Sequence, residues 1–173
     1  SSDVCSSDLS NGCKKNCRYQ TSSWKPRDCF MTELPNEYTF EQIQPGQTIS
    51  FREKITRSHL DIFANLSGDY NPLHMDANYA ENTKFKKQVC HGMLLASFFS
   101  KLVGMHIPGK NALYFSQTVN FQSPCYVDDQ ITIRGEVIDK SISTRMITLK
   151  TTIHNDAGIC LVDGLAKVLV HQD

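Results

Sequence analysis

Between Ser67 and His74 the chain reads Ser67-Gly68-Asp69-Tyr70-Asn71-Pro72-Leu73-His74, which places a carboxylate, an amide and an imidazole within six consecutive positions. A carboxylate and an imidazole that share one water form a general acid/base pair, provided that burial brings their pKa values toward the working pH. Pro72 restricts Asn71 to extended backbone and stops a preceding helix from simply running on. The segment is therefore expected to be a loop that turns Asp69 and His74 toward a common point. The same dipeptides, Gly-Asp and Asn-Pro, are also ordinary turn formers, and a lone histidine is more often a hydrogen-bonded structural residue than a catalyst. Spacing alone leaves both readings open.

A second group begins at His91-Gly92, ahead of a long apolar run. The first four N–H groups of a helix lack internal partners, and a glycine there lets a ligand carbonyl approach the backbone closely. An oxyanion at that point would be stabilised by the Gly92 N–H and the helix dipole. The plainer alternative is that Gly92 only makes a tight start to the helix. His74 and His91 show no third convincing partner at ligand spacing, so no metal is expected. Cys90 adjoins His91, but neighbours in sequence rarely face each other, which makes it a core residue rather than a nucleophile. Lys84, Lys86 and Lys87 read as a solvated face that could also meet phosphate groups.

These groups need elements to hold them. Gln47 to Ile55 has strand character. Thr56 or Ser58 can cap a helix whose apolar Leu60, Phe63, Ala64 and Leu66 lie mostly on one face and which should stop near Gly68. A short polar helix is expected around Asp76 to Asn82. From Gly92 to Gly104 the chain is apolar on nearly every side, and a helix apolar all round is a buried one. Beyond it, alternation with period two marks four long strands. Leu113, Phe115, Val119 and Phe121 share one face, as do Ile131, Ile133 and Val137; Ile147, Leu149 and Ile153 follow, then Val162, Ala166, Val168 and Val170. Asp139-Lys140-Ser141 and Asn155-Asp156-Ala157-Gly158 supply turns. A sheet with one apolar face needs an apolar cover. The economical assembly is an α+β domain whose antiparallel sheet curls around the one buried helix.

Composition narrows the class. The 173 residues carry no net charge, which gives no electrostatic footprint for nucleic acid. No stretch approaches the ~20 apolar residues of a membrane span, and the N-terminus lacks the pattern of a secretory signal. Cys90, Cys125 and Cys160 read as reduced thiols, so a soluble cytoplasmic protein is expected. Residues 1–30 are polar, lack apolar periodicity and repeat Ser-Ser-Asp. They are expected to be a disordered or artefactual tail, with residues 1–9 similar to a translated sequencing-adapter end, and 31–173 to be a single domain starting naturally at Met31. Cys5, Cys13, Cys17 and Cys29 could be a zinc set, but the Cys13 to Cys17 spacing is loose and no second tight pair follows.

Phe63 through Asp76, followed by His91-Gly92-Met93-Leu94-Leu95-Ala96-Ser97, closely resembles the hydratase-2 motif of the MaoC-like dehydratases, above all the short single-domain (R)-specific enoyl-CoA hydratases. The likeness runs from about Pro45 to Val170 and includes Ile107-Pro108-Gly109-Lys110 and Phe121 to Asp129. Lys86-Lys87-Gln88-Val89-Cys90 departs from it, where many relatives carry a proline. The resemblance implies a hot-dog fold, a homodimer and reversible hydration of a trans-2-enoyl-CoA to the (R)-3-hydroxyacyl-CoA. Coenzyme A would enter only as part of the substrate, with no other cofactor. By the same resemblance Asp69 and His74 match the catalytic dyad, and Gly92 matches the residue whose N–H polarises the thioester carbonyl. Asn71 matches a neighbour in the active-site loop, Ser100 a helix serine near the site, and Val103 a residue of the acyl pocket. The implied setting is fatty-acid metabolism, including supply of polyhydroxyalkanoate precursors. A thioesterase of the same fold and a non-catalytic acyl-thioester binding module are the alternatives.

Overall fold

The computed structural model describes residues 33–171. The expected tail over residues 1–30, with its four cysteines, lies outside the described residues.

The first strand, β1 (Thr48–Lys54), leads directly into α1 (Arg57–Ser67). Of the two expected caps, Thr56 is the one used: its hydroxyl accepts the His59 N–H while His59 Nδ1 accepts the Thr56 N–H, both at 3.3 Å. This reciprocal pair satisfies two otherwise orphaned donors. Leu60 and Ala64 are buried, whereas Leu66 is exposed, because it lies off the stripe that the other three apolar residues share. Gly68 ends the helix with φ of 76°, a left-handed conformation that favours glycine.

Two short helices follow, α2 (Pro72–Met75) and α3 (Ala77–Glu81). The second matches expectation. The first replaces part of the expected loop: Asn71 caps it by accepting the Leu73 N–H at 2.9 Å, and Pro72 takes the first helical position, where its missing N–H costs nothing.

The long helix α4 (Gly92–Lys101) continues as a π-helical turn over Leu102–His106. Around it wraps one antiparallel sheet made of β1, β2 (Ala112–Gln117), β3 (Asn120–Phe121), β4 (Gln130–Ser141), β5 (Met146–Asn155) and β6 (Cys160–Val170). The strand order is β1-β4-β5-β6-β2, with β3 pairing further along β6. Ile131, Ile133 and Ile153 press on Leu95, Phe99 and Leu102 of the helix. A second cluster gathers Val103, Ile107, Val137, Leu149 and Val168 with Phe40 and Ile43 from the N-terminal segment. This is the α+β arrangement expected from the alternation.

Three expectations need correction. The strand expected from Leu113 to Phe121 is split, because the Thr118 carbonyl occupies the space where a Cβ on Gly164 would sit, only 1.8 Å away. Its Leu113 and Phe115 point outward, 56% and 70% exposed, while Tyr114 packs inward with its hydroxyl on the Gln117 side chain. Asp139 to Ser141 is strand rather than turn. A bulge between Val137 and Asp139 lets β4 run on, and the reversal falls after Ser141, with Arg145 at φ of 52°. Finally, α4 and its π-helical turn are not covered all round: Met93, Ser97, Ser100 and Gly104 form an exposed stripe at helical spacing.

Candidate active site

The loop after Gly68 delivers Asp69 to the N-terminal end of α4. Asp69 Oδ1 accepts the Asn71 N–H at 3.2 Å, and the Asp69 N–H donates to Ser67 Oγ at 3.2 Å, so the carboxylate is pinned by its own loop. His74 sits in the last turn of α2. Its Nδ1 lies 2.7 Å from the Val89 carbonyl, and Gln88 Nε2 donates to the His74 carbonyl at 3.0 Å. A carbonyl can only accept, so Nδ1 carries the hydrogen and Nε2 of the neutral ring presents a lone pair. The strap from Gln88 to Cys90 thus holds His74, and through the Cys90 N–H on the Cys125 carbonyl at 2.7 Å it is tied to the segment that follows β3.

His91 immediately precedes α4 and makes no side-chain cap on it. Instead its Nε2 meets the backbone carbonyl of Asp69 at 3.0 Å, and its ring packs on His74 with centroids 4.0 Å apart and on Phe63 at 5.1 Å. Burial pushes the His91 imidazole below its ordinary value, against the opposing pull of the Asp69 carbonyl. One donor atom each from Asp69, His74 and His91 lies within 4.8 Å of the others. The third partner that spacing along the chain did not show is Asp69 itself.

These residues line a cavity of about 520 Å³, a volume suited to a small acyl group. Phe63, Phe85, Val89, Leu95, Phe121 and Pro124 give it apolar walls. Gly92 opens onto it from the first turn of α4, and a Cβ at that position would come within 2.8 Å of the Phe121 ring. Glycine is therefore what lets Phe121 lie against the helix start. Cys90 and Cys125 also line the wall. The Cys125 thiol is pushed far up, first by its hydrogen bond with Cys90 and then by burial, which suits packing rather than nucleophilic attack.

Of the six residues singled out from sequence, the structure brings Asp69, His74 and Gly92 together and leaves the other three off the cavity wall. Asn71 spends its side chain capping α2. Ser100 lies on the exposed stripe of α4, two turns beyond the site, and Val103 is 1% exposed inside the second core cluster. Sequence reasoning missed the side chain of His91 and the ring of Phe121. A polar residue opening an apolar helix was the available signal for His91. Phe121 gave none, since its contact with Gly92 depends on how β3 pairs with β6.

Known proteins agree with this architecture. Residues 40–158 match the family model described as a MaoC like domain. An (R)-specific enoyl-CoA hydratase of Rhodospirillum rubrum is 37% identical over 131 residues, covering 76% of this chain and 90% of that protein. The solved R-hydratase of Pseudomonas aeruginosa, in its unliganded form, superposes with a TM-score of 0.76 at 31% identity over 80% of this chain and 89% of its own. The Aeromonas caviae (R)-hydratase involved in PHA biosynthesis gives 0.74 at 36% identity, covering 76% and 99%. With the family model matching residues 40–158 and such relatives covering most of its length, the chain belongs to the MaoC-like domain family and has its hot-dog fold.

Proposed function

We propose that this chain is an (R)-specific enoyl-CoA hydratase, a hydro-lyase that adds water reversibly to a trans-2-enoyl-CoA and forms the (R)-3-hydroxyacyl-CoA. The observation that carries the reading is the convergence of Asp69 and His74 in one cavity beside the backbone of Gly92. The three hydratase relatives and the shared fold support it.

The thioester oxygen accepts a hydrogen bond from the Gly92 N–H, where the helix end stabilises negative charge as it develops on that oxygen. One water donates its two hydrogens to the Asp69 carboxylate and to the bare Nε2 of His74, which leaves an oxygen lone pair directed at C3. As the C3–O bond forms, one member of the pair takes the water's proton and the C2–C3 π electrons move onto the thioester. A proton is then delivered to C2 on the same face, which makes the addition syn. Asp69 and His74 act as one coupled unit, and coenzyme A enters as part of the substrate with no further cofactor. Asn71 contributes by capping α2 and so fixing His74.

A homodimer fits the edges of the sheet. The β1 edge carries Arg52 and Lys54, charges that discourage pairing, whereas β2 presents exposed Leu113 and Phe115. Pairing through β2 would cover those apolar side chains. Phe115→Glu should then lower the mass measured by light scattering to that of a single chain. Among the described residues no helix is long and apolar enough to cross a membrane. Free Cys90, Cys125 and Cys160 accord with a reducing, cytoplasmic setting in fatty-acid metabolism, where polyester precursor supply is one use.

The test is to incubate the chain with crotonyl-CoA and to analyse the product on a chiral column. The hydratase consumes enoyl absorbance and yields the (R) alcohol with no free thiol. A thioesterase would release thiol from saturated acyl-CoA, and a binding module would turn over neither. Hydration that survived Asp69→Asn within a few-fold would refute the mechanism.

A further inference from the structure

We propose that Asp69, His74 and His91 also form a binding site for one divalent transition-metal ion of the zinc class, and that the bound ion blocks the site. Donor atoms of the three residues already lie within 4.8 Å of one another. Ligands on a tetrahedral zinc ion sit about 3.4 Å apart, since each bond is about 2.0–2.1 Å. The widest pair must therefore close by up to roughly 1.4 Å. Rotation of the exposed Asp69 side chain, which gives up the Asn71 N–H that its Oδ1 accepts, supplies part of that movement.

Both imidazoles are prepared for the role. His74 commits Nδ1 to the Val89 carbonyl and keeps a lone pair on Nε2. His91 commits Nε2 to the Asp69 carbonyl, which puts the lone pair of its neutral ring on Nδ1. That Nδ1 has no hydrogen-bond partner among the described residues, on a side chain only 2% exposed. An unpartnered buried nitrogen is unfavourable, and coordination would satisfy it. Backbone carbonyls on the far nitrogens are the kind of outer contact that orients metal-binding imidazoles. Two imidazoles and one carboxylate suit zinc, cobalt, nickel or ferrous iron. The cavity leaves room for water as a further ligand. With the Asp69 carboxylate and the His74 lone pair on the ion, neither can hold the attacking water. This inhibitory consequence rests on the hydratase reading; the binding does not.

The experiment titrates cobalt(II) into the full chain and into Asp69→Asn, His74→Gln and His91→Asn, following visible absorption and heat, with zinc as competitor. Cysteine ligation anywhere in the chain would add a thiolate charge-transfer band, which a nitrogen and oxygen site lacks. The expected result is one cobalt per chain without that band, bound roughly ten-fold or more weaker in each variant. Zinc should displace it. Asp69→Asn changes only an exposed side chain and keeps the acceptor for the Asn71 N–H, so its loss of binding would not reflect unfolding. Crotonyl-CoA hydration should fall in proportion to zinc occupancy and return with a chelator. Binding confined to thiolates, or unchanged in all three variants, would overturn the site. Undiminished hydration at full occupancy would overturn the block. If the chain hydrates nothing but the cobalt site titrates as described, the hydratase reading falls and the metal site stands.

Discussion

The two ends of the rod formed by α4 and its π-helical turn each carry a histidine with an unpartnered buried nitrogen, His91 Nδ1 and His106 Nε2, and burial pushes both imidazoles down. Their surroundings differ. His91 opens onto the cavity beside His74 and Asp69. His106 closes the π-helical turn, stacked on Phe51 at 4.8 Å, while the Lys101 ammonium sits over the same ring at 4.7 Å and pairs with Glu53. An awkwardly buried histidine is thus no sign of a site by itself. What separates the two ends is a second titratable ring, a carboxylate and open volume.

The comparison breaks most easily at the N-terminal end. His74→Gln should lower crotonyl-CoA turnover by about 10²–10⁴-fold, the usual contribution of a positioned acid/base group, with the melting temperature nearly unchanged. Gly92→Ala should cost roughly 10²-fold, because the added Cβ drives the Phe121 ring out and displaces the substrate from the helix N–H. Gly104→Ala, in the π-helical turn, meets no atom within 4 Å and should leave the steady-state rate unaltered. A matching loss in both variants would erase the distinction between the ends.

Smaller effects sharpen it. Val103→Ala, in the packed cluster, should destabilise by about 1–3 kcal/mol, seen in denaturant melts, while the chain-length preference stays put. A shift in that preference would instead give Val103 the acyl contact that the resemblance implies. His106 supplies the least. Its depressed folded-state pKa means that the unfolded chain binds the proton more readily. Its contribution is therefore complete above the ordinary value of 6.5 and is lost as pH falls through the lowered one. Thermal melts between pH 7.5 and 5 should show this acid sensitivity, and His106→Phe should reduce it, leaving the share that His91 contributes in the same window.

Much of this was readable from the chain. Period-two runs such as Ile131, Ile133 and Val137 located the inner face of β4, since alternation in a half-buried strand is a local property. Turn chemistry and a helix start, also local, made Asp69, His74 and Gly92 candidates, and the resemblance supplied the roles that those signals left open. Misreadings arose where pairing between distant segments decided the outcome. The break between β2 and β3 depends on the missing side chain of Gly164, and the outward aim of Leu113 and Phe115 on which residues of an edge strand face the core. Ser100 and Val103 were carried over from a resemblance, and only a helix placed in three dimensions shows which of its sides each occupies. His91 could not be joined to Asp69 and His74 until folding closed the distance.

The contact between Gly92 and Phe121 has an implication for how such a site can change over generations. The ring fills the volume that a larger residue at position 92 would need, so the two positions cannot drift independently. A lineage that replaced Phe121 with a smaller side chain would relax the demand for glycine and deepen the cavity in the same step. One that kept the ring would keep the glycine. Position 121, with no reactive group of its own, would then set the pace at which this enzyme could acquire bulkier substrates.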